Sequence, residues 1–367
     1  MFKRLLSALS AVVCLILTLA ACGDNTAESP SKSDSSSEGD SYVQTVPDEP
    51  KLYVNNLTGL EELDSKEKQN VRPVAVMINN IAVAQKVQTG LGSASIIYET
   101  YVEGGITRLL AVYKDLTDVG TIGSMRSARY SYIDLACGHD ALYLHAGLDP
   151  NYTKKRMAKM NLDDYDLNTG YGGNYCFRVK NGLAREHTMF TNGELIYKGL
   201  EAGKRRMTVD EKHSGNWQNF ADPDESVTLS GGSATKLSVF FSNSYITNFA
   251  YDGESKTYLK SNRTKPSVDA DTGKQYGYKN VLVLFTTVGN FDDKYRVYSE
   301  MKGGEGYYFT NGTYMPVKWS KGDTYDRLKI TDESGAAVKY SAGNSYVCIT
   351  NKNLKSKTTF SGDAAAA

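Results

Sequence analysis

Residues 94–115 read ASIIYETYVEGGITRLLAVYKD. Two β-rich runs, ASIIYETYVE (94–103) and ITRLLAVYKD (106–115), flank Gly104-Gly105, and this arrangement signals a hairpin. Working outward, VAVMI (74–78) is a short β-rich run on the N-terminal side. On the other side, SMRSARYSYIDLAC (124–137) places Met125, Tyr132, Ile133 and Ala136 near 3.6-residue spacing and stops at Gly138, which predicts a helix. ALYLHAG (141–147) reads as a strand, and residues 151–160 and 192–206 as helices. Strands and helices interleave, so residues 71–206 are expected to form an α/β-type domain with a mixed sheet. A short helix is expected in GLEELDSKEKQN (59–70).

Residues 207–234 are polar and glycine-rich and mark a boundary. Beyond it come short β-like runs separated by turn residues, among them KLSVFFS (236–242), NVLVLFTTV (280–288), TYMPVKWS (313–320) and SYVCIT (345–350). YYF-TNG-TYM signals a hairpin with Asn311-Gly312 at its tip. A mostly antiparallel β domain over residues 235–352 follows, and the fold class is α+β.

The chain starts with Met1-Phe2-Lys3-Arg4, an uncharged apolar run from Leu5 to Ala21, and Leu19-Ala20-Ala21-Cys22. Two positive charges, an apolar stretch and small residues before a cysteine mark a lipoprotein signal peptide over residues 1–21. Cys22 would carry the diacylglycerol and acyl chains that hold the protein on the extracytoplasmic face of the cell membrane. Residues 22–50, with SPSKSDSSSEGDS at 29–41, are too polar to bury a core and read as a disordered tether. Such a tether reaches about 30 Å, at roughly 5–6 Å × √n.

Loss of Lys3 and Arg4 turns the balance of 42 basic and 42 acidic residues into a formal charge of −2. No basic excess supports nucleic-acid binding. Cys137, Cys176 and Cys348 remain in the mature chain, without a CxxC spacing. A Cys137–Cys176 disulfide and three small buried thiols are both open readings.

There is no GxSxG, Walker A loop, HExxH or GxGxxG, and no cofactor or metal is expected. One constellation points to chemistry. Ser124 is placed as an N-cap, with Arg126 and Arg129 three residues apart near the first turn of the expected helix. Two arginines oppose the helix dipole there, so an anion would stabilise them. Glu99, Glu103 and Asp134 are internal candidates for that anion, and Arg108 and Arg185 are further cationic partners. His145, at a strand end, and His187, beside Arg185, would supply acid and base if they converged on the arginines.

RPVAVMINN (72–80), QTGLGSASIIYETYVEGGITRLLAVY (88–113), IGSMRSARYSYIDLA (122–136) and YLHAGLDP (143–150) resemble the YerB-like lipoproteins of Gram-positive bacteria. TGKQYGYKNVLVLF (272–285), EGYYFTNGTYMPVKW (305–319) and the segment from Gly343 to Thr350 are similar in the second half. The resemblance implies a two-domain, lipid-anchored, extracytoplasmic protein of unassigned activity. It points to Glu99, Glu103, Arg108, Arg126, Arg129, His145, Arg185 and His187. The expectation is a non-enzymatic envelope lipoprotein that binds an anionic wall polymer or an envelope protein. The alternatives are a hydrolase or transferase on cell-wall glycopolymers, with Glu99 or Glu103 and a histidine as acid and base, and a scaffold in an envelope assembly.

Overall fold

The computed structural model describes residues 51–292 and 296–362. The signal peptide 1–21, Cys22 and the tether 22–50 lie outside the described residues. Ten strands form one mixed sheet: β1 (Val74–Asn79), β2 (Ile96–Tyr101), β3 (Thr107–Tyr113), β4 (Leu142–His145), β5 (Asp164–Asp166), β6 (Asn280–Thr286), β7 (Gly303–Thr310), β8 (Thr313–Ser320), β9 (Lys329–Thr331) and β10 (Ser345–Asn351). Their order is β9-β8-β7-β6-β10-β2-β3-β1-β4-β5. The strands of residues 74–166 and those of residues 280–351 therefore share one sheet. The join is the parallel pairing of β10 with β2, Ser345 opposite Ile96 and Cys348 opposite Glu99.

Local chemistry sets the two hairpins. β2 and β3 pair antiparallel, Tyr101 opposite Thr107, across a turn in which Gly104 and Gly105 have φ of 72° and 68°. β7 and β8 pair through Thr310 and Thr313, with Asn311 at φ 47° and Gly312 at φ 70° between them. Two consecutive positive φ angles match the strand twist, and Asn-Gly adopts them with little strain.

The sheet is covered on both faces, which is why β1, β2, β3 and β6 are buried along their whole length. Side chains alternate between the faces. Ile97, Leu109, Val281 and Val283 face a smaller antiparallel sheet built on Lys236–Ser242, Tyr245–Asp252 and Thr257–Asn262, which supplies Leu237, Val239, Phe241 and Phe249. Ile96, Tyr98, Leu110 and Val347 face the opposite core. That core holds helix α1 (Tyr130–Cys137) and, from the polar stretch 207–234, Trp217, Val227 and Leu229. Each such side chain contributes about 1.5–3 kcal/mol on burial. The stretch is thus a packed strap across the sheet.

The helices expected at 151–160 and 192–206 are present as α2 (Thr153–Met160) and α3 (Gly193–Ala202). Residues 59–70 form instead a short strand, Glu61–Leu63, and a single 3₁₀ turn, Glu67–Asn70. The helix expected over 124–137 begins only at Tyr130, and Arg129 is its N-cap at φ −136° and ψ 155°. The reason lies in the hydrogen bonds of the residues before it. Met125 N–H donates to Met189 O, Arg126 N–H to Met77 O and Ala128 N–H to Gly147 O. Ser124 O in turn accepts from Asn79 N–H. Backbone groups paired to three other segments cannot also close helical turns.

Cys137, Cys176 and Cys348 are all free thiols, and no disulfide joins Cys137 to Cys176. Among the described residues no helix is long and apolar enough to cross a membrane.

Candidate functional site

The extended segment 124–129 runs along the ends of β1 and β4 and faces the loop that carries residues 168–189. Between them lies an open pocket of about 480 Å³. Arg126 and Ser127 line it from the extended segment, Gly147 from the turn after β4, and Asn168, Arg178 and Arg185 from the loop. Its carboxylate is Glu186, whose side chain is 53% exposed and accepts a 3.1 Å hydrogen bond from Arg126 Nη2. Arg178 donates to Arg185 O, Thr188 Oγ1 and Asn168 Oδ1, none of them charged. Arg185 has no side-chain partner among the described residues. Three guanidinium groups and one carboxylate leave the pocket cationic.

Arg108 deepens that imbalance. It sits on β3, 5% exposed, and its Nη1 donates to the carbonyl of Ser127, a pocket-lining residue. No carboxylate pairs with it among the described residues. Burial, then the charges of Arg129 and Arg126, pull its pKa down to about 9 against the smaller opposing effect of the Glu103 charge. A desolvated cation beside two others is the arrangement that an incoming anion relieves.

The sequence-selected residues fall into three groups. Arg126 and Arg185 line the pocket, His187 lies beside it, and Arg108 lies behind it. His187 is buried, with Nδ1 at 2.8 Å from Asn79 Nδ2 and Nε2 at 3.5 Å from Glu186 Oε1. Burial pushes its pKa down, opposed by Glu186 and aided by Arg126. Arg129 and Glu103 form a second group. Arg129 Nε reaches both oxygens of Glu103, at 2.7 and 2.9 Å, and Arg296 bridges Glu103 at 3.5 Å to Asp149 at 2.7 Å.

The remaining residues are structural in their contacts. Ser124 is fully buried, is not an N-cap, and its hydroxyl has no partner. Arg126 and Arg129 do not share a first helical turn, because the helix starts after them. Asp134 pairs with Arg156 at 2.5 and 2.8 Å. His145 is fully buried, with Nδ1 2.8 Å from Gly147 O and Nε2 3.1 Å from Asp164 Oδ2. Glu99 lies in the core facing the small sheet and accepts from Asn80 Nδ2, Thr107 Oγ1, Thr247 Oγ1 and Tyr346 Oη at 3.1, 2.7, 2.8 and 2.7 Å. Four donors saturate a carboxylate and make its burial tolerable.

Sequence reasoning did not single out Asn168, Arg178, Glu186 or Asn79. The first three sit in a stretch of 3₁₀ turns and one two-residue strand, Phe177–Arg178, too short to show a periodicity, and only the paired asparagines ending MINN (77–80) offer a signal. Asp140, Asp210 and His213 lie close enough to hold a cation. Asp140, however, is held by both terminal nitrogens of Arg206, at 2.6 and 2.8 Å, so the cluster is already neutralised by a guanidinium.

Residues 57–207 match the N-terminal domain, and residues 237–347 the C-terminal domain, of the family described as protein of unknown function DUF3048. A Bacillus subtilis (strain 168) protein named as a lipoprotein, YerB, is 28% identical over 283 residues, covering 75% of this chain and 80% of that protein. The crystal structure of YerB protein from Bacillus subtilis superposes with a TM-score of 0.71 at 23% identity, over 84% of this chain and 99% of that one. That likeness establishes the shared two-segment α+β fold.

Proposed function

The chain belongs to the DUF3048 family, and from that premise we propose that it is a lipoprotein, anchored through Cys22 on the outer face of the membrane, that binds an anionic cell-envelope ligand in the arginine pocket. The observation that carries this reading is the charge count. Arg126, Arg178 and Arg185 line one open pocket with a single exposed carboxylate, and the buried Arg108 behind it has none. Guanidinium groups grip carboxylates and phosphates through paired N–H donors. Phosphate- or carboxylate-bearing wall polymers offer that chemistry within reach of a tethered protein. The lipoprotein name of the Bacillus relative and the Leu19–Cys22 sequence support the anchor.

The hydrolase or transferase reading lacks comparable support. Glu103 and Arg129 hold each other, Glu99 is saturated in the core, and His145 is fully buried. None of them lines the pocket.

The test is a melting-temperature titration of the full-length protein in detergent with glycerol-phosphate polymers, muropeptides and sugar phosphates. A ligand of the folded state raises Tm with concentration. The expected result is a rise with an anionic ligand that Arg126→Ala/Arg185→Ala removes. No rise with any of them, or the same rise in the double variant, rejects the reading.

A further inference from the structure

We infer that Glu186 is the pocket's built-in occupant, holding the seat of the ligand's anionic group, and that the ligand is a single oxoanion carried on a body about the size of one sugar. This inference rests on the anion-binding reading and specifies it.

Glu186 belongs to a single 3₁₀ turn, Arg185–His187, on the pocket wall. One of its oxygens, Oε1, meets both Arg126 Nη2 at 3.1 Å and His187 Nε2 at 3.5 Å. The other oxygen has no protein partner among the described residues. The side chain is 53% exposed, whereas Arg126 is 23% exposed. An ion pair this open, held through one carboxylate oxygen, contributes little and yields readily to a competitor. An incoming oxoanion can accept paired N–H donors from Arg126 and also reach Arg185, which no side chain occupies. Glu186 then swings into solvent, and one negative charge replaces another beside Arg126.

The pocket's size and lining define the rest of the ligand. Its volume of about 480 Å³ falls in the usual range for small-molecule sites, roughly 300–1,000 Å³, and far exceeds a bare phosphate. Met125, Leu148 and Met189 add apolar surface to the polar lining. A sugar ring presents an apolar face of carbons and an edge of hydroxyls, and Asn168 and Ser127 can bond such an edge. A sugar phosphate or a uronic acid satisfies both halves of the pocket.

The experiment compares wild type with Glu186→Gln, using glucose 1-phosphate, inorganic phosphate and glucose as probes on the full-length protein in detergent. Glu186→Gln keeps the shape and removes the charge, and its exposed position leaves folding intact, which the melting temperature of the unliganded variant verifies. The expected result is glucose 1-phosphate binding that is about fivefold tighter or more in Glu186→Gln, the scale of one exposed ion pair removed as a competitor. Glucose does not bind, and inorganic phosphate binds more weakly than the sugar phosphate. Equal or weaker binding by Glu186→Gln, with Arg126→Ala still abolishing it, overturns the occupant role and leaves the anion pocket standing. Inorganic phosphate binding as well as glucose 1-phosphate overturns the sugar-sized body. Absence of binding by either protein rejects the anion pocket together with this inference.

Discussion

The Tyr346 hydroxyl, on β10, donates a 2.7 Å hydrogen bond to Oε2 of Glu99, on β2, across 247 residues of sequence. Thr247 of the small sheet donates to the same oxygen at 2.8 Å. One buried carboxylate therefore ties together the first half of the chain, the small sheet and the last long strand. Tyr346→Phe should keep the packing and lower unfolding stability by about 1.5–3 kcal/mol, the range for a hydrogen bond to a charged group. Urea unfolding at neutral pH measures it, and a loss below about 0.5 kcal/mol would contradict this role.

Arg108 is buried with no carboxylate in ion-pair contact among the described residues and is only partly offset by the Glu103 charge, so its own charge is a liability in the unliganded protein. Arg108→Met preserves much of the side chain's bulk. Its stability should stay within about 1 kcal/mol of wild type, since apolar replacement of a desolvated charge is often neutral. Anion affinity should nonetheless fall. A loss of several kcal/mol in urea unfolding would show that Arg108 is instead a structural keystone.

Three of the four buried histidines, His139, His187 and His213, set an acid limit. His139 is held well below the ordinary histidine range, first by burial and then by the charges of Arg327, His213 and Lys321. Burial is also the leading cause for His187 and His213. A folded-state pKa below the unfolded value of about 6.5 means that the unfolded chain binds more protons. The stability these groups contribute is present above about pH 6.5 and is lost as pH falls. Urea midpoints should drop between pH 7.5 and 5.5, and His139→Gln should flatten that slope whatever it does to the absolute midpoint.

The shared sheet predicts one unfolding event. β2 pairs along one edge with β10, so a chain ending at residue 234 would leave that edge and the face covered by the small sheet bare. Residues 51–234 alone should be unfolded or aggregated, and the full chain should melt in a single transition by both tyrosine fluorescence and circular dichroism. A cooperative transition from the isolated fragment would refute this.

Cys22→Ala removes the proposed lipid site. The variant should leave the membrane fraction and the detergent phase of a Triton X-114 partition, while wild type stays in both. Retention of the variant in the detergent phase would point to another anchor.

The parts of this fold that local chemistry controls were readable in the chain. Gly104-Gly105 and Asn311-Gly312 announced hairpins because their turns need positive φ, and α2 and α3 appeared where expected. The start of the helix at 124–137 is hidden because Met125, buried on the extended segment, falls at helical spacing from Tyr132 inside the helix. What fixed that segment was hydrogen bonding to residues 77, 147 and 189, which no window of sequence contains. The site followed the same division. Arg126 and Arg185 stood out by charge, and a cationic pocket does contain them. No helix dipole acts on Arg126, because the helix starts after it. Glu186 and Arg178 escaped notice because only the folding of the 168–189 loop brings them opposite residue 126.

The place of β10 has a consequence for biogenesis. It lies mid-sheet, between β6 and β2, yet it follows β2 in the chain by almost the whole length of the described fold. A chain emerges N-terminus first from the ribosome, so β2 waits with an unpaired edge until residues 345–351 arrive. The large sheet closes only once residues 345–351 have been made. Until then the long unlatched intermediate is open to chaperones and proteases, and a ribosome that stalls anywhere before codon 345 releases material that quality control can distinguish from the finished protein.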